Sequence, residues 1–266
     1  MSGPTVPVDW HVHIHDPGAA SSVLDAAATR FAAIRRGGAA LGGVLMLAEM
    51  PGQLVFEALS SRRPSLPGWS LHQSEEPETL FACCGSERLA IIAGFQIVTA
   101  ERLEILALGT RLRPEAGLSA GRSIREITTS GAIAVLPWGV GKWFGARGRL
   151  VEDLIEHDHD GVLAVGDNAG RPAFWRRPTA FAAAERRRLA VLPGSDSLPG
   201  ARSSAGSFGS LVALSQGWDR PAELLRRVVA DPHRRLMSYG AAESAAGFVR
   251  SQLGLRLRRR ASRAAD

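Results

Sequence analysis

Three histidines alternate in the stretch VDWHVHIHD, at His11, His13 and His15, with Asp9 two places ahead of the first. In an extended strand alternate side chains share a face, so Asp9 and the three imidazoles point one way and Val8, Trp10, Val12 and Ile14 the other. Neutral imidazoles beside a carboxylate are the usual nitrogen ligands for a transition metal. An edge strand wetting its polar face would show the same letters. The apolar reverse face points instead to an internal strand packed against helices in an α/β sheet.

Other stretches could add to such a site. GSDSLPG sets Asp196 on a glycine-flanked turn after an apolar run. There it can be a metal ligand, the base that takes a proton from activated water, or simply the aspartate of a turn. LPWGVGKWFGARGR combines two indoles, four glycines, Lys142, Arg147 and Arg149. This is a pocket for a phosphate or carboxylate substrate, with Trp138 as a wall and Lys142 on the anion, or else a structural loop plugged by Trp138 and Trp143. VGDNAGRPAFW offers Asp167 and Asn168 for substrate hydrogen bonds and Arg171 for an anionic group, although Asp and Asn are also ordinary turn residues. His157 and His159 in EHDHDG fall at a helix end, where histidine suits the helix dipole, on the opposite rim from the proposed site. His72 and His233 stand alone. Ser203, Ser204 and Ser207 have no histidine in a recognisable motif, so serine-hydrolase chemistry has no support. No Walker spacing is present either.

These residues need elements to position them. Apolar strand candidates run over Val6 to His13, Gly43 to Leu47, Leu89 to Val98, Glu104 to Leu108, Ala132 to Leu136, Gly161 to Val165 and Leu189 to Leu192. Helix-like stretches lie between most of them, at Ala20 to Arg36, Ser123 to Ser130, Leu150 to His157 and Pro178 to Arg188. The third and fourth strands are too close for a crossover helix and predict a hairpin through Thr99 to Leu103. Glu223 to Val229 and Ala241 to Gln252 read as closing helices, and Ser60 to Glu78 as a loop over the site. Alternating strands and helices favour a parallel α/β sheet or barrel, whose active site lies at the carboxyl ends of the strands. The histidines, AEM, GFQ, PWGVGKW, GDNAGRP and GSDSLPG all follow or end such strands.

The chain has 266 residues, 45% hydrophobic and 22% charged, and no apolar run long enough to span a bilayer. MSGPTVPVDW carries no signal-peptide pattern, and adjacent Cys83 and Cys84 suit a reducing compartment, so the expected location is cytoplasmic. Of the net charge of +6, most comes from the stretch after Phe248, where six arginines face one aspartate. That tail reads as a solvated helix end that could touch an acidic surface; without interleaved aromatics it is no strong nucleic-acid signal. The expected organisation is one domain over 1–245 and a basic tail over 246–266.

DWHVHIHD resembles the D-x-H-x-H opening of the PHP (polymerase and histidinol phosphatase) metallohydrolases, and amidohydrolase barrels open with a similar strand. GVLMLAEM, LAIIAGFQIVTAERLEILALGT, AIAVLPWG and LAVLPGSDSLPG are similar, in order, to later PHP segments, over residues 5 to 210. The resemblance implies a distorted TIM-like (β/α)7 barrel and a divalent metal such as Zn, Mn or Fe. It also shows gaps: Glu49-Met50 stands for Asp-His, Gln96 for Glu, Trp138 lies where a His-Pro strand end is expected, and Leu198 stands for the final His. Too few anionic ligands remain for a trinuclear cluster. One ion held by His11, His13 and Asp196, with Glu49 as a further ligand or catalytic group and Asp9 and His15 behind them, is still feasible. The expected activity is a metal-dependent hydrolase acting on a small anionic substrate, a phosphoester by preference. The alternative is a barrel that has lost catalysis and serves as a binding or scaffold protein.

Overall fold

The computed structural model describes residues 4–39, 41–62, 64–139, 141–157, 160–172, 177–197, 204–213 and 216–240. The opening alternation forms β1 (Val6–Val12), every residue of it buried. It is followed by α1 (Ala20–Ile34), β2 (Gly43–Leu47) and α2 (Val55–Ser60). The region read as a loop, Ser60 to Glu78, contains a strand, β3 (Ser70–Gln73), and is followed directly by β4 (Thr79–Cys84). Then come β5 (Glu87–Ile92), β6 (Gly94–Val98), β7 (Glu104–Leu108), α3 (Ala120–Thr129), β8 (Ile133–Pro137), α4 (Gly145–Glu156), β9 (Val162–Asn168), α5 (Thr179–Arg186) and β10 (Ala190–Gly194). The last described elements are β11 (Gly209–Val212), α6 (Pro221–Ala230) and β12 (Leu236–Tyr239).

The expected TIM-like barrel is not what these elements build. They form two mixed sheets, one of seven strands in the order β12-β11-β1-β2-β5-β4-β3 and one of five in the order β10-β9-β8-β7-β6. Only six α-helices accompany them among the described residues. Two local events explain the departure. The run Leu89 to Val98, read as one strand, breaks at Ala93, and its halves join different sheets. The antiparallel hairpins of β3–β4–β5, and β12 returning antiparallel to β11 after α6, add strands that a repeating strand–helix unit would not have. The predicted hairpin between β6 and β7 does form, closed by the Thr99 N–H donating to the Leu103 carbonyl at 2.9 Å.

The edges of the smaller sheet lean on the larger one through isolated hydrogen bonds rather than ladders. On one side the Asp196 N–H, just past β10, donates to the His11 carbonyl at 2.8 Å. On the other, Glu49 N–H donates to Gly94 O at 2.9 Å and Gln96 N–H to Glu49 O at 2.8 Å. Both approaches occur at glycine for a steric reason. A Cβ on Gly194 would fall 2.4 Å from the His11 Cβ, and one on Gly94 would fall 2.3 Å from the Leu47 carbonyl oxygen.

Val6, Val8, Trp10, Ile133, Val135 and Leu192 belong to one apolar cluster that draws on both sheets. α1 covers one outer face with Leu24, Ala27 and Phe31. α3, α4 and α5 cover the other through Ile124, Leu154 and Phe181. Burying large aliphatic and aromatic side chains stabilises by about 1.5–3 kcal/mol each, so these layers hold the polar centre between them. No described helix is long and apolar enough to cross a membrane. Cys83 and Cys84 are both unbridged. The helix expected over 241–252, the boundary at 245/246 and the arginine tail lie outside the described residues.

Candidate metal centre

β1 and the turn after β10 bring three donors together. His11 Nε2 and His13 Nε2 are 3.0 Å apart, and Asp196 Oδ1 lies 3.6 Å from the first and 3.2 Å from the second. Ligands at the corners of a tetrahedron around Zn stand ~3.3 Å apart when the bonds are ~2.0–2.1 Å, so the three spacings match one shared ion. Their chemistry agrees with the geometry. Each of the three atoms can offer a lone pair, the imidazoles when their proton sits on Nδ1 and Asp196 as a carboxylate. Burial lowers the basicity of His11, with Asp196 opposing and His13 adding to the effect, so the neutral ligand form is favoured. His13 Nδ1 is buried and has no hydrogen-bond partner, which leaves Nε2 as its working atom. Among the described residues this is the one group of three or more such side chains close enough to share an ion.

Asp196 is held there by its backbone and by its other oxygen. Its φ of +45° is left-handed, a conformation that aspartate tolerates better than most residues and that concentrates at functional sites. Asn168, at the end of β9, donates from Nδ2 to Asp196 Oδ2 at 3.0 Å and to the Trp138 carbonyl at 2.8 Å. That turns Oδ1 toward the histidines. Burial would raise the Asp196 carboxyl, but its neighbours His11 and His13, with Lys142, hold it below the usual carboxylate range.

Asp9 has a different partner set from the histidine that its position in the motif implied. Wholly buried, it accepts from the N–H groups of Ser195 at 2.9 Å, Gly206 at 2.8 Å and His11 at 3.3 Å. It thus ties the Asp196 turn to β1 through the main chain. Desolvation pushes its carboxyl up to about 6, against the hydrogen bonds from Ser195, Gly206 and His11. His15 stacks on His13 with ring centroids 5.6 Å apart and bonds the Ser197 carbonyl through Nε2 at 3.0 Å.

Glu49 lies outside the three-residue group. Its Oε1 accepts from the Phe56 N–H at 2.5 Å, capping α2, and its Oε2 is 3.8 Å from Arg113. Burial raises its carboxyl, with the Phe56 hydrogen bond and Arg113 opposing. A folded pKa above the unfolded one means that the folded state binds more protons, so this group's contribution to stability falls as pH rises above about 4.5. Glu49→Gln keeps the cap oxygen and removes that dependence. Relative to the parent, the variant is expected to gain stability as pH rises through this window, by an amount on the order of 1 kcal/mol or less, with unchanged metal content. Urea melts across pH 4 to 8, with metal analysis, check this; loss of metal in the variant would return Glu49 to the ligand set.

The expected anion holders are already paired. Lys142 forms an ion pair with Glu104, and Arg171 makes a bidentate pair with Asp167 at 2.7 and 2.8 Å. Trp138 is buried after β8. His157 bonds back to the Asp153 carbonyl at the end of α4, as a helix-terminal histidine should; His159, Leu198 and Ser203 lie outside the described residues. Gln96 is the residue that sequence reasoning undervalued. Read as a lost ligand, it places Oε1 3.2 Å from His11 Nε2, where an amide oxygen can complete the shell of an ion. The available signal was one inward polar residue in the apolar strand GFQIV.

No protein-family model matches the chain, and no curated protein matches its sequence. Its structure is similar to that of PsfC from Pseudomonas syringae PB-5123, with a TM-score of 0.59 and 17% identity, over 94% of this chain and 97% of that one. The fold is therefore shared along almost the whole of both. A lesion-specific endonuclease from Pyrococcus furiosus, PfuEndoQ, is matched with a TM-score of 0.46 and 11% identity over 89% of this chain and 59% of the endonuclease.

Proposed function

We propose that the chain is a metal-dependent hydrolase of small anionic substrates, with a phosphoester preferred, of the kind that its DWHVHIHD opening resembles. The observation that carries this reading is the convergence of His11, His13 and Asp196, from segments more than 180 residues apart, at ligand spacing. In this reading those three residues hold one divalent ion, Zn, Mn or Fe, with Gln96 beside them. When bound, such an ion lowers the pKa of a coordinated water toward neutrality and polarises a phosphoryl oxygen. Asn168 and Asp9 keep Asp196 facing the imidazoles. Lys142, at the rim and 34% exposed, exchanges Glu104 for the substrate's negative charge. Water adds to phosphorus as the ester P–O bond breaks, and the alcohol leaves with a proton.

The single carboxylate in the group, with Gln96 where the resembled family has Glu, favours a second reading: a binding or scaffold protein that has lost the chemistry. Elemental analysis of protein purified without chelator or affinity-tag metal separates the two. One equivalent of Zn, Mn or Fe, with phosphoesterase activity that follows occupancy, is the expected result. A folded protein that holds no metal and takes up none of the three when they are added overturns the hydrolase.

A further inference from the structure

Between the first turns of α4 and α5 lies a pocket of about 220 Å³, lined by Trp138, Trp143, Phe144, Glu152, Arg171 and Thr179 among others. Ligand pockets commonly run ~300–1,000 Å³; this one is smaller and has room for one flat ring system. Its walls are of the matching kind. Two indoles and a phenyl ring surround it, and Trp143 is braced edge-on against Phe181 with centroids 5.6 Å apart. The Arg171 guanidinium, clamped by both oxygens of Asp167 and 5.9 Å from the Phe181 ring, is fixed in orientation. A held guanidinium of this sort stacks on aromatic faces more readily than it recruits a second anion. Glu152 accepts from the Thr179 hydroxyl at 2.5 Å through one oxygen, and its other oxygen can receive a ring N–H or O–H.

The pocket also adjoins the metal centre. The Trp138 carbonyl and the Asp196 carboxylate are joined by a single atom, Asn168 Nδ2. We propose that this pocket receives an aromatic ring of the substrate, so that the protein selects aryl or heteroaryl phosphomonoesters over alkyl ones. This selection rests on the hydrolase reading of the adjoining site; the binding of the ring does not.

The test uses the full chain with naphthyl phosphate and glycerol phosphate as probes, and Trp143→Ala and the half-exposed Phe144→Ala as variants. Binding is followed by quenching of tryptophan fluorescence in chelator-treated protein, and hydrolysis after addition of Mn or Zn. Naphthyl phosphate is expected to bind about tenfold more tightly than glycerol phosphate, and each variant to weaken it by about 3- to 10-fold, the range that one aromatic contact supplies. The ratio of kcat/KM between the two esters should shrink in parallel. Ring-dependent binding without hydrolysis under either metal upholds the pocket and counts against the hydrolase. Equal handling of both esters, unaffected by either variant, overturns the pocket whether or not hydrolysis occurs.

Discussion

His11→Ala is expected to abolish stoichiometric metal binding. His11 Nε2 stands 3.0 Å from His13 Nε2, 3.6 Å from Asp196 Oδ1 and 3.2 Å from Gln96 Oε1, so it touches every member of the group. Losing even an outer partner of a metal ligand lowers affinity about 10- to 100-fold, and losing one of three protein ligands should exceed that. The fold should survive, because β1 is anchored by Val8 and Trp10 in one apolar cluster and by Val12 in the other. A melt within about 3 kcal/mol of the parent, with unchanged far-ultraviolet dichroism, would mark the effect as local. The measurement is metal per chain after dialysis. Retention of a full equivalent by His11→Ala would place the ion elsewhere and remove the basis of the proposed hydrolase.

Gly194→Ala is expected to be strongly destabilising. The new Cβ would sit 2.4 Å from the His11 Cβ, 2.5 Å from its N and 2.9 Å from its Cα. These are atoms of a buried strand that cannot turn aside as a long side chain would. Either β10 steps away from β1 or the junction opens, and in both cases the Asp196 N–H leaves the His11 carbonyl. Overpacking of this kind costs typically 1–3 kcal/mol and occasionally more; contact with main chain argues for about 3 kcal/mol or above, a fall in Tm of roughly 6–12 °C in a chain of this size. Metal affinity should fall with it, because Asp196 travels with the strand. Gly121→Ala provides the contrast: it lies in α3 with nothing within 4 Å of its added Cβ, and should be neutral or stabilising by up to about 1 kcal/mol. Calorimetry on both proteins decides the matter. Equal melting temperatures would mean that the sheets do not meet as closely here as the structure shows.

Much of the centre was legible because its information is local. Alternation in VDWHVHIHD marks a buried strand and keeps His11 and His13 together. A register shift between Asp9 and Val12 nevertheless breaks the period of two, so Val8 and Trp10 join one apolar cluster and Val12 and Ile14 the one under α1. An apolar run ending in a glycine-flanked aspartate similarly determines that Asp196 follows a buried strand. β2 and β7 end where their apolar runs end, and the spacing between β6 and β7 leaves room only for a hairpin.

Tertiary structure alone decided the partners. Which acid meets which amide or cation depends on segments far apart in sequence. Glu49 went to the start of α2, Asp9 to the amides of Ser195 and Gly206, and Lys142 to Glu104. Nothing in the residue types of those acids distinguishes a cap or tether from a ligand, because a buried carboxylate accepts whatever donor the packing presents. The partition into two sheets had the same origin. The break at Ala93 and the antiparallel pairing of β4 with β5 are choices among neighbours, and an alternating apolar pattern states that a strand is buried without stating beside which strand it lies.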